Sequence, residues 1–264
     1  MIGLGLGLNR NMFKATGRAL SKSFNFEVKT DNAGTSNDNQ FRLPLVSSFN
    51  GSTAIVDWGD GSAKDTITSY NQSEVTHTFP SSGSYSVKIS GQLRGWKFNN
   101  DGDIQKITNI SNWGVFEMNE YLSFSRCTKI SITAIDSPYL ISSNISYSFY
   151  LCTSIKQLNV SKWNVSNTEN FNALFFKADD MVITGLDKWD IGSATNLSNL
   201  LGSSPGMSTE DYDKTLISWE AQAPNTGLSV DFGGSKFTPN SLASAARDRL
   251  ISVYSWTIAD GGSI

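Results

Sequence analysis

The chain has 264 residues, room for two or three small domains, with 39% apolar and 17% charged side chains. A net charge of -3 supplies no basic footprint for nucleic acid, which requires clustered Lys and Arg. One histidine, two cysteines and no CxxC pair argue against a zinc site, and the excess of Ser, Asn, Thr and Gly fits a β-rich binding module better than a metabolic enzyme; no cofactor is expected.

The first ten residues, Met1-Ile-Gly-Leu-Gly-Leu-Gly-Leu-Asn-Arg10, are apolar but interrupted by glycine. They carry no basic residue ahead of the apolar stretch and no A-x-A-like cleavage site follows, so they make a poor signal peptide and are too short to span a bilayer. No membrane insertion is expected. Residues 1–21 read as an apolar arm, with Leu4, Leu6, Leu8, Met12 and Phe13 docking on another subunit.

Residues 22–92 read as a β-domain. Alternating or apolar stretches at 24–30, 41–46, 54–58, 65–68, 74–79 and 84–90 are separated by turn formers, which suggests a sandwich of short strands. Within it, Val56-Asp57-Trp58-Gly59-Asp60-Gly61-Ser62, then Thr76-His77-Thr78-Phe79, then Gly83-Ser-Tyr-Ser-Val87 resemble the signature of the polycystic-kidney-disease (PKD) type immunoglobulin-like domain. Phe79 stands where that family usually has Tyr. The resemblance implies that the Asp-Gly turn and His77 are structural, in a spacer or weak binding module. Asp57, Asp60 and Asp65 offer carboxylates for calcium, without the dense spacing of a D-x-D-x-D loop.

From 93 to 207 the chain repeats itself with a period of about 25 residues. Ile110-Ser-Asn-Trp113, Ile135-Asp136, Val160-Ser-Lys-Trp163 and Leu186-Asp-Lys-Trp189 keep step, and Phe124-Ser-Arg-Cys127-Thr-Lys-Ile130 matches Phe149-Tyr-Leu-Cys152-Thr-Ser-Ile155 position for position. Units this small cannot bury an apolar face alone and must stack. Each apolar phrase is expected to form a strand, Asn and Ser to turn the chain, and the Phe-x-x-Cys phrase to return as a helical turn. Asn167, Asn170, Asn196 and Asn199 suit turn bonding; Asn144 and Asn159, although in Asn-x-Ser sequons, read better as structural asparagines than as glycosylation sites. Cys127 and Cys152 sit in equivalent places, close enough for a disulfide, but are better read as small buried core residues. The Leu158–Phe171 and Leu186–Leu197 phrases resemble the BspA-type leucine-rich repeat, whose units occur in bacterial surface adhesins and in phage virion proteins. With the PKD-like signature and the Gly-Leu start, the arrangement resembles flavobacterial phage and prophage proteins of tail-fibre or appendage type.

Residues 208–264 read as an α/β cap. Ser208-Thr-Glu-Asp211 opens a helix that ends before Pro224, 228–232 is a strand, Thr238-Pro239 opens a second helix, and 255–258 closes as a strand. The expected fold is therefore mainly β: an Ig-like sandwich, a short leucine-rich-repeat-type solenoid and an α/β C-terminal cap.

Catalytic constellations are scarce. His77 has no nucleophile in a recognisable elbow, and the acidic pairs Glu210-Asp211 and Asp179-Asp180 are adjacent in sequence, so neither alone can flank a sugar ring. The expectation is a non-enzymatic virion structural protein, a homo-oligomer assembled in the host cytoplasm. It would be anchored to other virion proteins by its arm and would contact a host-surface glycan or protein. A bacterial cell-surface adhesin and a polysaccharide depolymerase are the alternatives. If the arm anchors the chain, deleting residues 1–13 leaves folding intact and abolishes incorporation into particles; truncated chain at normal copy number, measured by immunoblot of purified particles, would refute it.

Overall fold

The computed structural model describes residues 23–264; Leu4, Leu6, Leu8, Met12 and Phe13 of the expected arm lie outside them. The described chain is mainly β with few helices and no closed barrel.

Alternation builds the first strands. In β1 (Phe24–Lys29), Phe24, Phe26 and Val28 point inward and are fully buried. β2 (Gln40–Arg42) pairs antiparallel with β5 (Thr76–Thr78), and Phe41 of β2 meets Phe26 with ring centroids 5.8 Å apart. β3 (Ala54–Asp57) lies between β4 (Asp65–Ile67) and β6 (Ser84–Gly91), antiparallel to both. Each of these strands overlaps an expected stretch, but β2 stops at Arg42 short of the expected 41–46, and Ser73–Val75 is a 3-10 turn ahead of β5.

β1 is paired along both edges. On one side it runs antiparallel to β6, with Phe26 opposite Val87; on the other it runs antiparallel to β7 (Ile107–Asn112), with Phe26 opposite Ile110. β7 then takes β9 (Ser131–Ile132) in parallel, so one sheet has the order β4-β3-β6-β1-β7-β9. The antiparallel sheet thus becomes parallel at β7 without a break.

Beyond β7 the chain winds in stacked coils. β8 (Glu117–Met118) pairs in parallel with β10 (Tyr139–Leu140), and β11 (Gln157–Asn159) with β12 (Val182–Thr184). Parallel bridges link Asn144 to Asn170, Asn170 to Asn196, and Leu197 to Val230. In these asparagines the side-chain Oδ1 accepts from the N–H two residues on, 3.0 Å in each case (Ser146, Asn172 and Ser198), so three successive coils turn on the same device. Asn159 likewise accepts from Ser161 N–H.

Two expectations are corrected here. Ile110–Asn112 lies in β7 as expected, but the later Trp phrases are turns rather than strands: β11 and β12 end just before Val160 and Leu186, Leu186–Lys188 is a 3-10 turn, and Trp163 and Trp189 close back on the carbonyls of Val160 and Leu186. The Phe-x-x-Cys phrase is not a helical turn either. Leu122 and Arg126, Tyr147 and Leu151, Ala173 and Lys177, and Asn199 and Ser203 all adopt left-handed backbone, with φ between 52° and 62°. Between them, N–H groups alternate in direction. Phe124, Arg126, Phe149, Leu151, Phe175 and Lys177 donate to the next coil at 2.7–3.0 Å, while Cys127, Tyr150 and Cys152 bond back three residues within their own coil. A right-handed helix would direct nearly all of its N–H groups to its own carbonyls and leave none to hold the stack.

The coils enclose a continuous apolar core. Phe124, Phe149 and Phe175 form a ladder with centroids 5.6 and 5.7 Å apart and nearly parallel rings. Trp163 packs against Phe149, Phe175 and Trp189, and Trp113 joins this group to Phe24 of β1.

The far end is closed by helices. α1 (Thr209–Ala221) starts at Ser208, whose hydroxyl accepts from Asp211 N–H, and buries Tyr212, Leu216 and Trp219; the Trp219 indole donates to Leu186 O at 2.9 Å. β13 (Ser229–Asp231) pairs in parallel with β14 (Thr257–Ala259). α2 (Leu242–Ser252) begins later than Thr238-Pro239 suggested, because Thr238 is held by Asp213 and the helix is capped by a reciprocal Ser241–Ser244 box. Among the described residues no helix is long and apolar enough to cross a membrane.

Trp163 and Trp189 are 3% and 1% exposed, and the Trp189 indole also donates to Val160 O at 3.1 Å. Replacing either by Ala should lower unfolding free energy by about 3–5 kcal/mol, the usual loss for a large buried aromatic, read from denaturant titration. An unchanged midpoint would show that the ring does not support the stack.

Candidate binding surface

The Trp58 turn is a closed cluster. The indole of Trp58 lies flat on the His77 ring, centroids 4.6 Å apart at 8°, and donates to Asp65 Oδ2 at 2.8 Å. His77 Nε2 is 2.8 Å from Asp60 Oδ2, and the other Asp60 oxygen accepts from the backbone and hydroxyl of Ser62. Asp57 accepts from Gly59 N–H and pairs with Lys64 at 3.1 Å. Gly59, at φ 77°, passes so close to β6 that a Cβ would lie 2.2 Å from Ser86 O; Gly61 needs its glycine for φ 85° alone. The three carboxylates proposed for calcium are thus held by different donors, and no group of three or more His, Cys, Asp or Glu side chains among the described residues could hold a metal ion.

Other residues singled out in the sequence lie in the stack. Trp113 is buried, and its N–H and that of Gly114 donate to the two oxygens of Asp136 in the next coil. Cys127 and Cys152 are free, fully buried thiols; Cys152 Sγ donates to Phe124 O at 3.1 Å, and burial pushes both thiols well above the ordinary cysteine pKa. Glu210 pairs with Lys214, Asp211 with the Ser208 hydroxyl, and Asp180 with Lys156.

A buried polar lock, in which Asp103 and Lys106 meet through Ser36, was not legible in the sequence. Asp103 is 1% exposed and accepts from the backbone of Thr35, Ser36 and Arg42 and from the Ser36 hydroxyl. Lys106 is fully buried; its Nζ donates to the carbonyls of Ser36, Asn37 and Gln40 and to the Ser36 hydroxyl at 2.7–3.0 Å. Desolvation pulls its pKa down, opposed by the Asp103 charge. The lock ties the loop after β1 to the entry of the first coil. It leaves the ammonium no face toward solvent.

The open surface lies on the left-handed turn face. A cleft of about 450 Å³ is lined by Tyr121, Tyr147, Tyr150, Arg126, Asn100 and Asn144, together with Leu122 and Ser146. The turn geometry sets these directions: Phe149 points into the core and is fully buried, while its neighbours Tyr147 and Tyr150 remain partly exposed. Tyr147 and Tyr150 meet edge to face at 5.6 Å; Tyr150 stacks on Phe176 of the next coil at 5.6 Å and 10°. Asn172 Nδ2 donates to the Tyr147 hydroxyl at 3.1 Å, and Lys97 Nζ sits 3.4 Å from the Tyr121 ring centroid. A sequence signal for this row existed in Tyr147-Ser-Phe149-Tyr150, where aromatic residues flank a core anchor.

Residues 95–215 are similar to a family described as Mycoplasma protein of unknown function, DUF285. The matched stretch takes in the coils and enters α1, leaving β1 to β6 outside it. No curated protein and no solved structure matches the chain.

Burial of Asp60 opposes its charge, but the hydrogen bonds from Ser62 and His77 prevail and bring its pKa from 3.8 down to about 2. Because the folded-state value is the lower one, this stability is present above pH 4 and is lost as pH falls toward 2. It amounts to about 2 kcal/mol. D60N should remove that part of the acid dependence while lowering stability at neutral pH, measured by urea titration between pH 2 and 7. A variant with the same pH profile as the parent would show that Asp60 carries none of it.

Proposed function

We propose that the protein is a non-enzymatic attachment protein of a phage particle, of tail-fibre, spike or head-fibre type, in which a PKD-like sandwich carries a short stack of BspA-type leucine-rich repeats closed by an α/β cap. One observation carries the binding part of this reading: the stack has an open cleft on its turn face, lined by tyrosines, two asparagines and the exposed Arg126 on a backbone pinned from coil to coil. Rigid aromatic and amide surfaces of this kind suit recognition at low entropic cost. The engagement of His77 with Trp58 and Asp60 supports a structural role for the only histidine. Many copies on a particle would raise weak contacts to useful avidity. The assignment to a particle rests on the resemblance of the whole arrangement to phage appendage proteins.

Labelled full-length chain should bind saturably to cells within a panel of bacteria, counted by flow cytometry, and should release no reducing ends from their purified surface polysaccharides. Reducing ends above the buffer control would make the protein a depolymerase. Absence of binding across the panel would overturn the attachment reading.

A further inference from the structure

We infer that the cleft between Tyr121, Tyr147 and Tyr150 is a carbohydrate site that selects an acidic sugar, a pyranose bearing a carboxylate. This inference rests on the attachment reading and names the chemistry of its ligand. A pyranose presents apolar C–H faces rimmed by hydroxyls, and this lining has the matching parts. Tyrosine rings supply an apolar surface with a polar edge, while Asn100 and Asn144, whose Oδ1 atoms are held by the Ser125 hydroxyl and the Ser146 N–H, present their Nδ2 groups as donors to sugar hydroxyls. The volume, about 450 Å³, falls in the range of small-molecule sites.

The charge is the selective element. In a chain with 24 acidic and 21 basic residues, the cleft lining contains Arg126 and no carboxylate. Arg126 is exposed, and its guanidinium has no hydrogen bond or ion pair among the described residues. Its backbone is fixed. The N–H donates to Tyr150 O at 2.7 Å and the carbonyl accepts from Gln105 Nε2 at 3.0 Å, so the side chain springs from an immobile point. A guanidinium matches a carboxylate with two parallel charge-assisted hydrogen bonds, whereas the hydroxyls of a neutral sugar accept without the opposite charge. The Tyr147 hydroxyl, already accepting from Asn172, keeps its own proton to donate into the cleft.

The repeat itself supplies the internal control. The left-handed positions equivalent to Arg126 hold Leu151, Lys177 and Ser203, and those equivalent to Tyr147 hold Leu122, Ala173 and Asn199. The fold therefore accepts aliphatic, cationic or small residues at the Arg126 place, and aliphatic, small or amide residues at the Tyr147 place. Stacking does not require Arg and Tyr, and their coincidence at one cleft calls for a ligand.

The test is calorimetric titration of the full-length chain with tetrasaccharides of galacturonic acid, of glucuronic acid and of sialic acid, against maltotetraose as the neutral control. At least one acidic probe should bind ten-fold or more tighter than the neutral one. R126Q should lose ten-fold or more of that affinity with its melting temperature unchanged, and Y147F should lose several-fold. Equal binding of acidic and neutral probes, no binding of any acidic probe, or an R126Q variant with parental affinity would each overturn the inference. The same preparations are applied to cells. Undiminished cell binding by R126Q, abolished by protease treatment of the cells, would replace the sugar with a protein receptor and leave attachment standing; loss of all cell binding by the parent chain would overturn the attachment reading itself.

Discussion

The structure depends on the double pairing of β1. A strand edge is an open row of hydrogen-bonding groups, and a single coil of about 25 residues cannot bury its own apolar face; β7 answers both needs at once by closing the edge of β1 and serving as the first rung for β9. The fit is tight where the chain leaves β7. Asn112 Nδ2 donates to Ser23 O, and Gly114, at φ 48°, approaches so closely that a Cβ would lie 2.0 Å from the same carbonyl. The polar network of Asp103, Ser36 and Lys106 fixes the entry to β7 from the opposite direction. Removing either side chain would leave buried backbone groups unmet, at about 1–3 kcal/mol per group, so the network holds the first coil to the loop after β1.

The stack is then held by a backbone arrangement that is individually unfavourable. Left-handed conformation costs an L-residue about 1–2 kcal/mol, and the coils accept it at pairs of positions four residues apart. What they obtain is geometric. Every second N–H points along the stack axis and finds a carbonyl, so each coil is the template of the next. The same alternation directs one side chain inward and the next outward, which is why the Phe124–Phe149–Phe175 ladder is flanked by an outer row containing Tyr147, Tyr150 and Phe176. Core and cleft are two faces of one backbone device.

How much of this was legible differs by element. The strands β1 to β6 follow from period-two alternation, and the coil period follows from Phe124, Phe149 and their cysteine partners, because burial imposes those patterns directly. The left-handed turns do not announce themselves: Leu122, Arg126, Tyr147 and Lys177 are not residues that mark positive φ, and tertiary hydrogen bonding overrides their preference. An F-x-x-C spacing looks helical for the same reason that one turn of helix and one turn of this coil both bring i and i+3 together. Lys106 was hidden because a lone lysine normally reads as solvated surface. The structural Trp58–His77 cluster was visible as a motif, whereas Tyr150 and Arg126 of the cleft acquire an outward direction only from the turn geometry.

The translational period of the coils makes length a discrete variable. Adjacent parallel rungs are separated by about 4.8 Å, and the residues that close the two ends, β1 on one side and α1 with β13 on the other, bond to the terminal coils. Duplicating a 25- or 26-residue unit between Phe149 and Phe175 would therefore extend the molecule by one rung without altering either junction. Reach could change in fixed increments by recombination within the repeat, while the cleft between the Tyr121 and Tyr147 coils would be carried along as an intact cassette.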